Sequence, residues 1–323
     1  MRNESEIREK LDERNILLSE SIGQHLLVDK EAIDTLVNNI EYGGNVLEIG
    51  PGPGNLTEKI AERAGKVVAI EIDRRFEPIL NELQSQHSNI EVIYKDAISL
   101  NFGKILKTDS SKEGWQVISN LPFHISEPFL QKLINIPIEN AVLIIGDQLA
   151  RKMQISNPND IEFSKLSLLT KTFFEPTVIS NIDRKLFYPQ PRTDASIIIL
   201  NPREKKEFEN HPSLKILRNL FLTERNNPTV IKVIKESNII QMHHSLMSKP
   251  ESHRYDRRQI RQELKQMVQI YHDNDLEIQR TSKNRKIVKL NLPKDLLDKP
   301  FSRFDNQDIK VLARALDVCY GQF

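Results

Sequence analysis

The sequence predicts an α/β protein, a doubly wound sheet of mostly parallel strands followed by a smaller, mainly α-helical domain. Three observations carry that expectation. Short β-branched runs alternate with segments of helical periodicity through the first half of the chain. Glycines and acids fall at the ends of those runs, where open α/β sheets place their ligands. Finally, the charge of the 323 residues is unevenly divided. The total is +1, yet residues 1–200 carry −7 and residues 201–323 carry +8, an asymmetry that points to a separate basic module for an anionic partner.

The first 22 residues are highly charged and read as a helical or partly disordered arm. From Leu27 to about Ile40, apolar residues at Val28, Ile33, Leu36, Val37 and Ile40 predict an amphipathic helix. Strand-like runs follow at Val46–Ile49, Val67–Ile70, Ile90–Tyr94, Val117–Ser119 and Ala141–Ile145. Between them, Leu56–Ala64, Arg75–Leu83 and Glu127–Ile134 have helical spacing. Thr177–Ile182 and Ala195–Leu200 read as an antiparallel pair closing one sheet edge, with the prolines outside the ladder. Asn201-Pro202-Arg203 marks a boundary, and beyond it Leu214–Leu222, Ile260–Tyr271 and Ile309–Val318 read as helices. The expected domains are an arm over 1–22, an α/β domain over 23–202 and a basic, mainly helical domain over 203–323.

Cys319 is the single cysteine, which excludes an intramolecular disulfide framework and a multi-cysteine zinc site and suits a reducing cytoplasm. No apolar run reaches the roughly 18–20 residues of a membrane span, and the amino terminus is unlike a signal peptide. A cytoplasmic location and no membrane partner are therefore expected. His243, His244 and His253 lack ligand spacing, and no metal is expected.

Three motifs carry chemistry. The first, Glu48-Ile49-Gly50-Pro51-Gly52-Pro53-Gly54-Asn55, lies between a strand and a helix, where glycines let the backbone approach a ligand. Glu71 follows Gly50 by 21 residues, at the end of the next strand, where an acid accepts hydrogen bonds from ribose hydroxyls. A nicotinamide dinucleotide is the default ligand for that pair. However, Pro51 and Pro53 remove N–H donors that would cradle a pyrophosphate. Asp96, closing the third strand, can accept a bond from an adenine amine. The set suits a single nucleoside without phosphate, such as S-adenosyl-L-methionine. The third motif, Asn120-Leu121-Pro122-Phe123-His124-Ile125-Ser126, follows the fourth strand. An amide oxygen on Asn120 and a nearby backbone carbonyl can accept the two hydrogens of an exocyclic amine and aim its lone pair at a methyl group. Pro122 stiffens the turn, and Phe123 can stack on an extruded base.

With these residues in place, the chain resembles the rRNA adenine-N(6)-dimethyltransferases, which include the KsgA and Erm enzymes. The likeness runs in register from Gly23-Gln24-His25-Leu26-Leu27 through EIGPGPGNLT, AIEID, Asp96-Ala97 and NLPFHIS to Phe187-Tyr188-Pro189-Gln190-Pro191-Arg192-Thr193-Asp194, about residues 20–202. GQHLL and FYPQPRTDAS are more similar to the small-subunit rRNA branch than to Erm. The resemblance implies a Rossmann-like S-adenosylmethionine-dependent methyltransferase sheet. The candidate cofactor residues are Gln24, His25, Leu27, Gly50, Gly52, Glu71, Ile72, Asp96, Ala97 and Asn120, and the candidate catalytic residues are Asn120, Leu121, Pro122 and Phe123. Phe123 stands where many members have Tyr, the segment from Asp147 to Met153 lacks the family's frequent Lys-Glu pair, and the tail beyond 203 matches poorly.

In that tail, Arg254, Arg257, Arg258 and Arg261 form one basic cluster and Lys283, Arg285 and Lys286 another. Such clusters make phosphate contacts that position RNA without reading its sequence. The implied partner is ribosomal RNA or an immature ribosomal subunit, met by a monomer. The rival readings are an Erm-type enzyme acting on large-subunit RNA, a non-catalytic nucleic-acid-binding relative, and a nicotinamide dehydrogenase. The last gives NLPFHIS no role.

Overall fold

The structure is a computed structural model that describes residues 4–106, 114–233, 277–279, 287–289 and 292–317. The chain divides into two compact units, one comprising Met1–Gln154 and Phe173–Pro202, the other Ile155–Thr172 and Arg203–Phe323.

In the first unit the helices are α1 (Glu4–Glu13), α2 (Lys30–Val37), α3 (Asn55–Ala61), α4 (Glu77–Gln86), α5 (Phe102–Ile105), α6 (Ser126–Leu133) and α7 (Asp147–Gln154). Its strands are β1 (Leu26–Leu27), β2 (Asn45–Ile49), β3 (Lys66–Glu71), β4 (Ile90–Tyr94), β5 (Trp115–Asn120), β6 (Ile138–Gly146), β7 (Phe174–Ile182), β8 (Phe187–Tyr188) and β9 (Ala195–Pro202). Seven of them form one sheet in the order β4-β3-β2-β5-β6-β9-β7. The strands from β2 to β6 pair in parallel, and β9 is inserted antiparallel to both β6 and β7. Val46, Leu47, Val67, Val68, Val117 and Ile118 are all fully buried. Helices cover both faces of such a sheet, which is why its strands read as continuous apolar runs. The chain leaves β2 toward β3 on one side and reaches β5 on the other. The carboxyl ends of β2 and β5 therefore flank a topological switch point, where open α/β sheets leave a crevice.

Three features depart from the sequence expectations. The helix expected from Leu27 starts at Lys30, capped by the Asp29 carboxylate on the Ala32 N–H at 2.8 Å. Leu26 and Leu27 instead pair antiparallel with Tyr188 and Phe187. Pro176 lies within the ladder, opposite Leu200, because β7 is the outermost strand and a missing N–H costs nothing on its open side. The arm is a docked helix: Ile7 and Leu11 of α1 are buried in the main core, and Lys10 and Arg14 both pair with Glu82 of α4.

The second unit contains α8 (Lys165–Phe173, its last residue excepted), α9 (Lys205–Asn210), α10 (Pro212–Leu222), α11 (Lys294–Asp298) and α12 (Asn306–Asp317). A short antiparallel pair joins them, β10 (Glu277–Gln279) with β11 (Ile287–Lys289). Leu217, Leu220, Phe301, Ile309 and Leu312 form the interior, with Phe221 edge-on to Phe301 at 5.0 Å between centroids. Ile155–Thr172, which the sequence leaves inside a continuous 23–202 domain, belongs here for a physical reason. Lys165 pairs with Glu224 and lies over the Phe301 ring, Lys310 reaches the Ile161 carbonyl, and Arg203 donates to the Lys171 carbonyl. The basic clusters Arg254, Arg257, Arg258 and Arg261, and Lys283, Arg285 and Lys286, lie outside the described residues, as do the Ile260–Tyr271 helix, the three histidines and Cys319. Among the described residues, no helix is long and apolar enough to cross a membrane.

Candidate functional site

The loop after β2 is shaped by its own hydrogen bonds. Gly52 has a φ of 56°, a left-handed conformation that strains any other residue, and a Cβ there would crowd the Leu26 side chain at 3.3 Å. The Gly50 N–H donates to the Ile70 carbonyl, the Gly54 N–H to the Pro51 carbonyl, and the Gly52 N–H to Glu71 Oε2 at 2.9 Å. Pro51 and Pro53 have no N–H to give. Every donor of the Gly50–Gly54 turn is therefore engaged within the protein. A pyrophosphate has no cradle there, and a nucleoside without phosphates needs none.

Glu71 ends β3 and is 4% exposed. Burial pushes its carboxyl above the usual range, opposed by the N–H groups of Asp73, Gly52 and Ile72. Its Oε1 accepts the Asp73 N–H at 2.7 Å and its Oε2 the Gly52 N–H. The carboxylate oxygens keep acceptor capacity beyond these bonds, which leaves room for a ribose hydroxyl. Asp73 is the hub of the neighbouring wall. It accepts from Gln24 Nε2 at 2.7 Å and from the Arg75 guanidinium at 2.6 Å. Burial raises its pKa, but those hydrogen bonds outweigh it and hold the carboxyl below the usual range. Asp96 lies just beyond β4, and its Oδ1 caps the following turn through the Ile98 N–H at 2.8 Å. It serves as a local cap and a wall of the crevice together.

Asn120 closes β5. Its Nδ2 donates to the His25 carbonyl at 2.7 Å, which turns Oδ1 the other way. The Leu121 N–H donates to the Ile144 carbonyl, and the Pro122 carbonyl accepts from the Ile125 N–H and the Ser126 hydroxyl. The Phe123 ring stands beside Gly146, with its centroid 6.1 Å from that of His25.

One cavity of about 380 Å³ joins these groups, a size within the range for small-ligand sites. Of the residues singled out in the sequence, Gln24, His25, Gly50, Gly52, Glu71, Ile72, Asp96, Ala97, Asn120 and Pro122 line it. Ile72 is 65% exposed and presents an apolar edge at the mouth. Three others do not line it. The Leu27 side chain is in the core, and its carbonyl holds Asn55 Nδ2 at 2.7 Å. Leu121 has a buried side chain, so only its backbone faces outward chemistry, while Phe123 flanks the cavity. Gly23, Asp73, Arg75 and His124 also line the wall, though none is among the candidate cofactor or catalytic residues. Asp73 was the legible one, since it ends the same AIEID run as Glu71.

Comparison with known proteins adds the following. The family model for ribosomal RNA adenine dimethylases matches residues 17–283. A ribosomal RNA small subunit methyltransferase A from Alkaliphilus oremlandii is 32% identical over 187 residues. That match covers 57% of this chain and 65% of the relative, so the chain spans just under two thirds of its length. A protein of the same name from Oceanobacillus iheyensis is 34% identical over 211 residues, which is 64% of this chain and 71% of the relative. A dimethyladenosine transferase from Plasmodium falciparum has a similar fold, with a TM-score of 0.52 and 24% identity over 91% of this chain and 98% of the other.

Proposed function

The chain belongs to the ribosomal RNA adenine dimethylase family, and on that premise we propose that it methylates the exocyclic amine of an adenosine in small-subunit ribosomal RNA. The cofactor is S-adenosyl-L-methionine, which supplies an electrophilic methyl group on a sulfonium. The observation that carries the reading is Asn120: it lines a nucleoside-sized crevice, and its Nδ2 is committed to the His25 carbonyl, which leaves Oδ1 as the acceptor it can offer an amine.

Glu71 holds the ribose hydroxyls, Asp96 accepts from the adenine amine of the cofactor, and Ile72 covers the base. The donors of the glycine turn are spent, which suits a nucleoside without a pyrophosphate. On the substrate side, the amine lone pair of adenine is delocalised into its ring, so the site must favour a tetrahedral nitrogen. Asn120 Oδ1 accepts one amine hydrogen. The Pro122 carbonyl is already engaged, which leaves the Leu121 carbonyl to accept the other. Pro122 contributes no competing N–H, and Phe123 stacks on the extruded base. With the cofactor bound, the methyl's C–S bond would break as its bond to the amine nitrogen forms, releasing S-adenosylhomocysteine; Asn120 and Leu121 would aim the amine, and its surplus proton would pass to water, so no general base is required of the chain.

The relatives' names refer to the small subunit, and the GQHLL and FYPQPRTDAS motifs favour the same branch. The partner is then small-subunit RNA or an immature subunit, met by a monomer in the cytoplasm, with the basic segment from Arg254 to Lys286 adding phosphate contacts. The deciding experiment incubates the protein and S-adenosylmethionine with each ribosomal subunit and maps methylated adenosines by mass. Methylation of small-subunit RNA is expected. Labelling of large-subunit RNA instead would favour the Erm-type reading. No labelling, together with no cofactor binding by calorimetry, would favour a non-catalytic relative.

A further inference from the structure

The late FYPQPRTD segment has no part in the chemistry described so far, yet it is tied to the reacting amide. Leu27 pairs with Phe187 and Leu26 with Tyr188, an antiparallel register in which the next pair is His25 with Pro189. Proline has no N–H, so the backbone ladder cannot continue there on both sides. The imidazole takes its place: His25 Nδ1 lies 2.7 Å from the Pro189 carbonyl. A carbonyl only accepts, so Nδ1 carries the proton. The same residue's backbone carbonyl accepts Asn120 Nδ2, also at 2.7 Å.

We propose that His25 is a positioning residue through which the 187–194 turn fixes the Asn120 amide for methyl transfer. The argument rests on the methyltransferase reading above. An amide has two orientations that differ by exchange of its oxygen and nitrogen. With the His25 carbonyl 2.7 Å away, the reversed amide would set two carbonyl oxygens against each other at that distance. The correct orientation therefore depends on where the His25 carbonyl sits, and the imidazole bond to Pro189 holds it. Packing closes the arrangement from the other side. A Cβ on Gly23 would lie 3.0 Å from the His124 ring and 3.2 Å from Pro122, so the segment entering His25 is pressed directly onto the NLPFH loop. Behind the turn, the Arg8 guanidinium lies over the Tyr188 ring at 3.8 Å.

The test compares three substitutions at saturating RNA and cofactor. In His25→Asp the side chain accepts but cannot donate, and it opposes the Pro189 carbonyl. In His25→Asn the amide nitrogen takes the place of Nδ1 and restores the donor. His25→Leu keeps bulk without a donor and serves if the charged variant does not fold. The expected result is a fall in kcat of about 100-fold for His25→Asp and His25→Leu. The loss should lie in kcat at saturating cofactor, over and above any change in calorimetric cofactor affinity, and His25→Asn should recover most of the lost kcat. The proposal is overturned if kcat stays within about three-fold of wild type, if the loss lies wholly in cofactor affinity, or if His25→Asn is as impaired as His25→Leu. Asn120→Ala, run in parallel, separates this from the underlying reading. If that variant is inactive while His25→Asp is active, only the positioning role fails. If wild type itself transfers no methyl to RNA, both fail.

Discussion

The two loops that meet at the switch point are built in opposite ways. After β2, one donor of the glycine turn is met within the turn and the other two by Ile70 and Glu71, on the strand beside it. After β5, Asn120 leaves an acceptor unused and takes its orientation from His25, 95 positions away, which is in turn anchored to Pro189, a further 164 positions along. The glycine turn is thus held by the neighbouring strand, whereas the reacting amide depends on distant parts of the chain. Damage on one side should consequently leave the other largely intact, in binding for one and in turnover for the other.

The largest expected effect breaks the amine side alone. Asn120→Ala should lower kcat by about 1,000-fold, at the upper end for loss of one preorganised polar group, with calorimetric cofactor affinity nearly unchanged. Single-turnover transfer from radiolabelled cofactor measures the first, and an equal loss of both would erase the division between the loops. A smaller effect on the same side is expected from Phe123→Ala, about 10- to 100-fold in transfer, as one lost base-stacking contact of about 1–3 kcal/mol predicts. Phe123→Tyr keeps the ring and should stay close to wild type.

The converse break is Glu71→Gln. The amide can still accept ribose hydroxyls through one oxygen, but it can no longer hold the Gly52 and Asp73 N–H groups from both ends. Cofactor affinity should fall by about 10-fold, with kcat at saturating cofactor much less affected. Since burial raises the Glu71 pKa, wild-type affinity should also weaken as pH falls toward that raised value, because the protonated acid loses acceptor strength. Titrations of both proteins across acidic pH check this, and an equal pH dependence in Glu71→Gln would assign the effect to another group.

The contrast between the loops also explains what was legible in the sequence. Strand–helix alternation and the glycine turn are local signals, so β2 to β6 and the spacing of Glu71 from the glycine turn can be read directly. The β1–β8 pairing could not. Two-residue strands have no periodicity, and Leu26 and Leu27 fit a helical stripe equally well until Phe187 and Tyr188 lie against them. The assignment of Ile155–Thr172 to the second unit rests on partners such as Glu224 and Phe301, far along the chain. Leu27 illustrates the same limit within the site, because its position in the motif suggested the cavity while its strand pairing turns the side chain into the core.

Glu48 supplies the smallest test, on stability alone. It lies on β2, next to the strand that carries Glu71, and is 1% exposed. Burial acts on both acids, but Glu71 receives backbone N–H groups on both of its oxygens, while Glu48 Oε2 has no hydrogen-bond partner among the described residues. Burial, eased by the Thr57 hydroxyl and reinforced by the Glu71 charge, pushes the Glu48 pKa from 4.5 up to about 8. Between those values the folded protein holds a proton that the unfolded chain releases. Stability contributed by the neutral acid is therefore fully present below pH 4.5 and is progressively lost as pH rises toward 8. Glu48→Gln keeps the shape and removes the charge. Its unfolding midpoint should match that of wild type near pH 4.5 and exceed it by on the order of 5 °C at pH 8, with a shallower slope between. Glu71 retains a slope of the same sign in both proteins, so the difference between the two curves isolates Glu48. Parallel curves would mean that the buried acid is satisfied in a way its neighbours do not reveal.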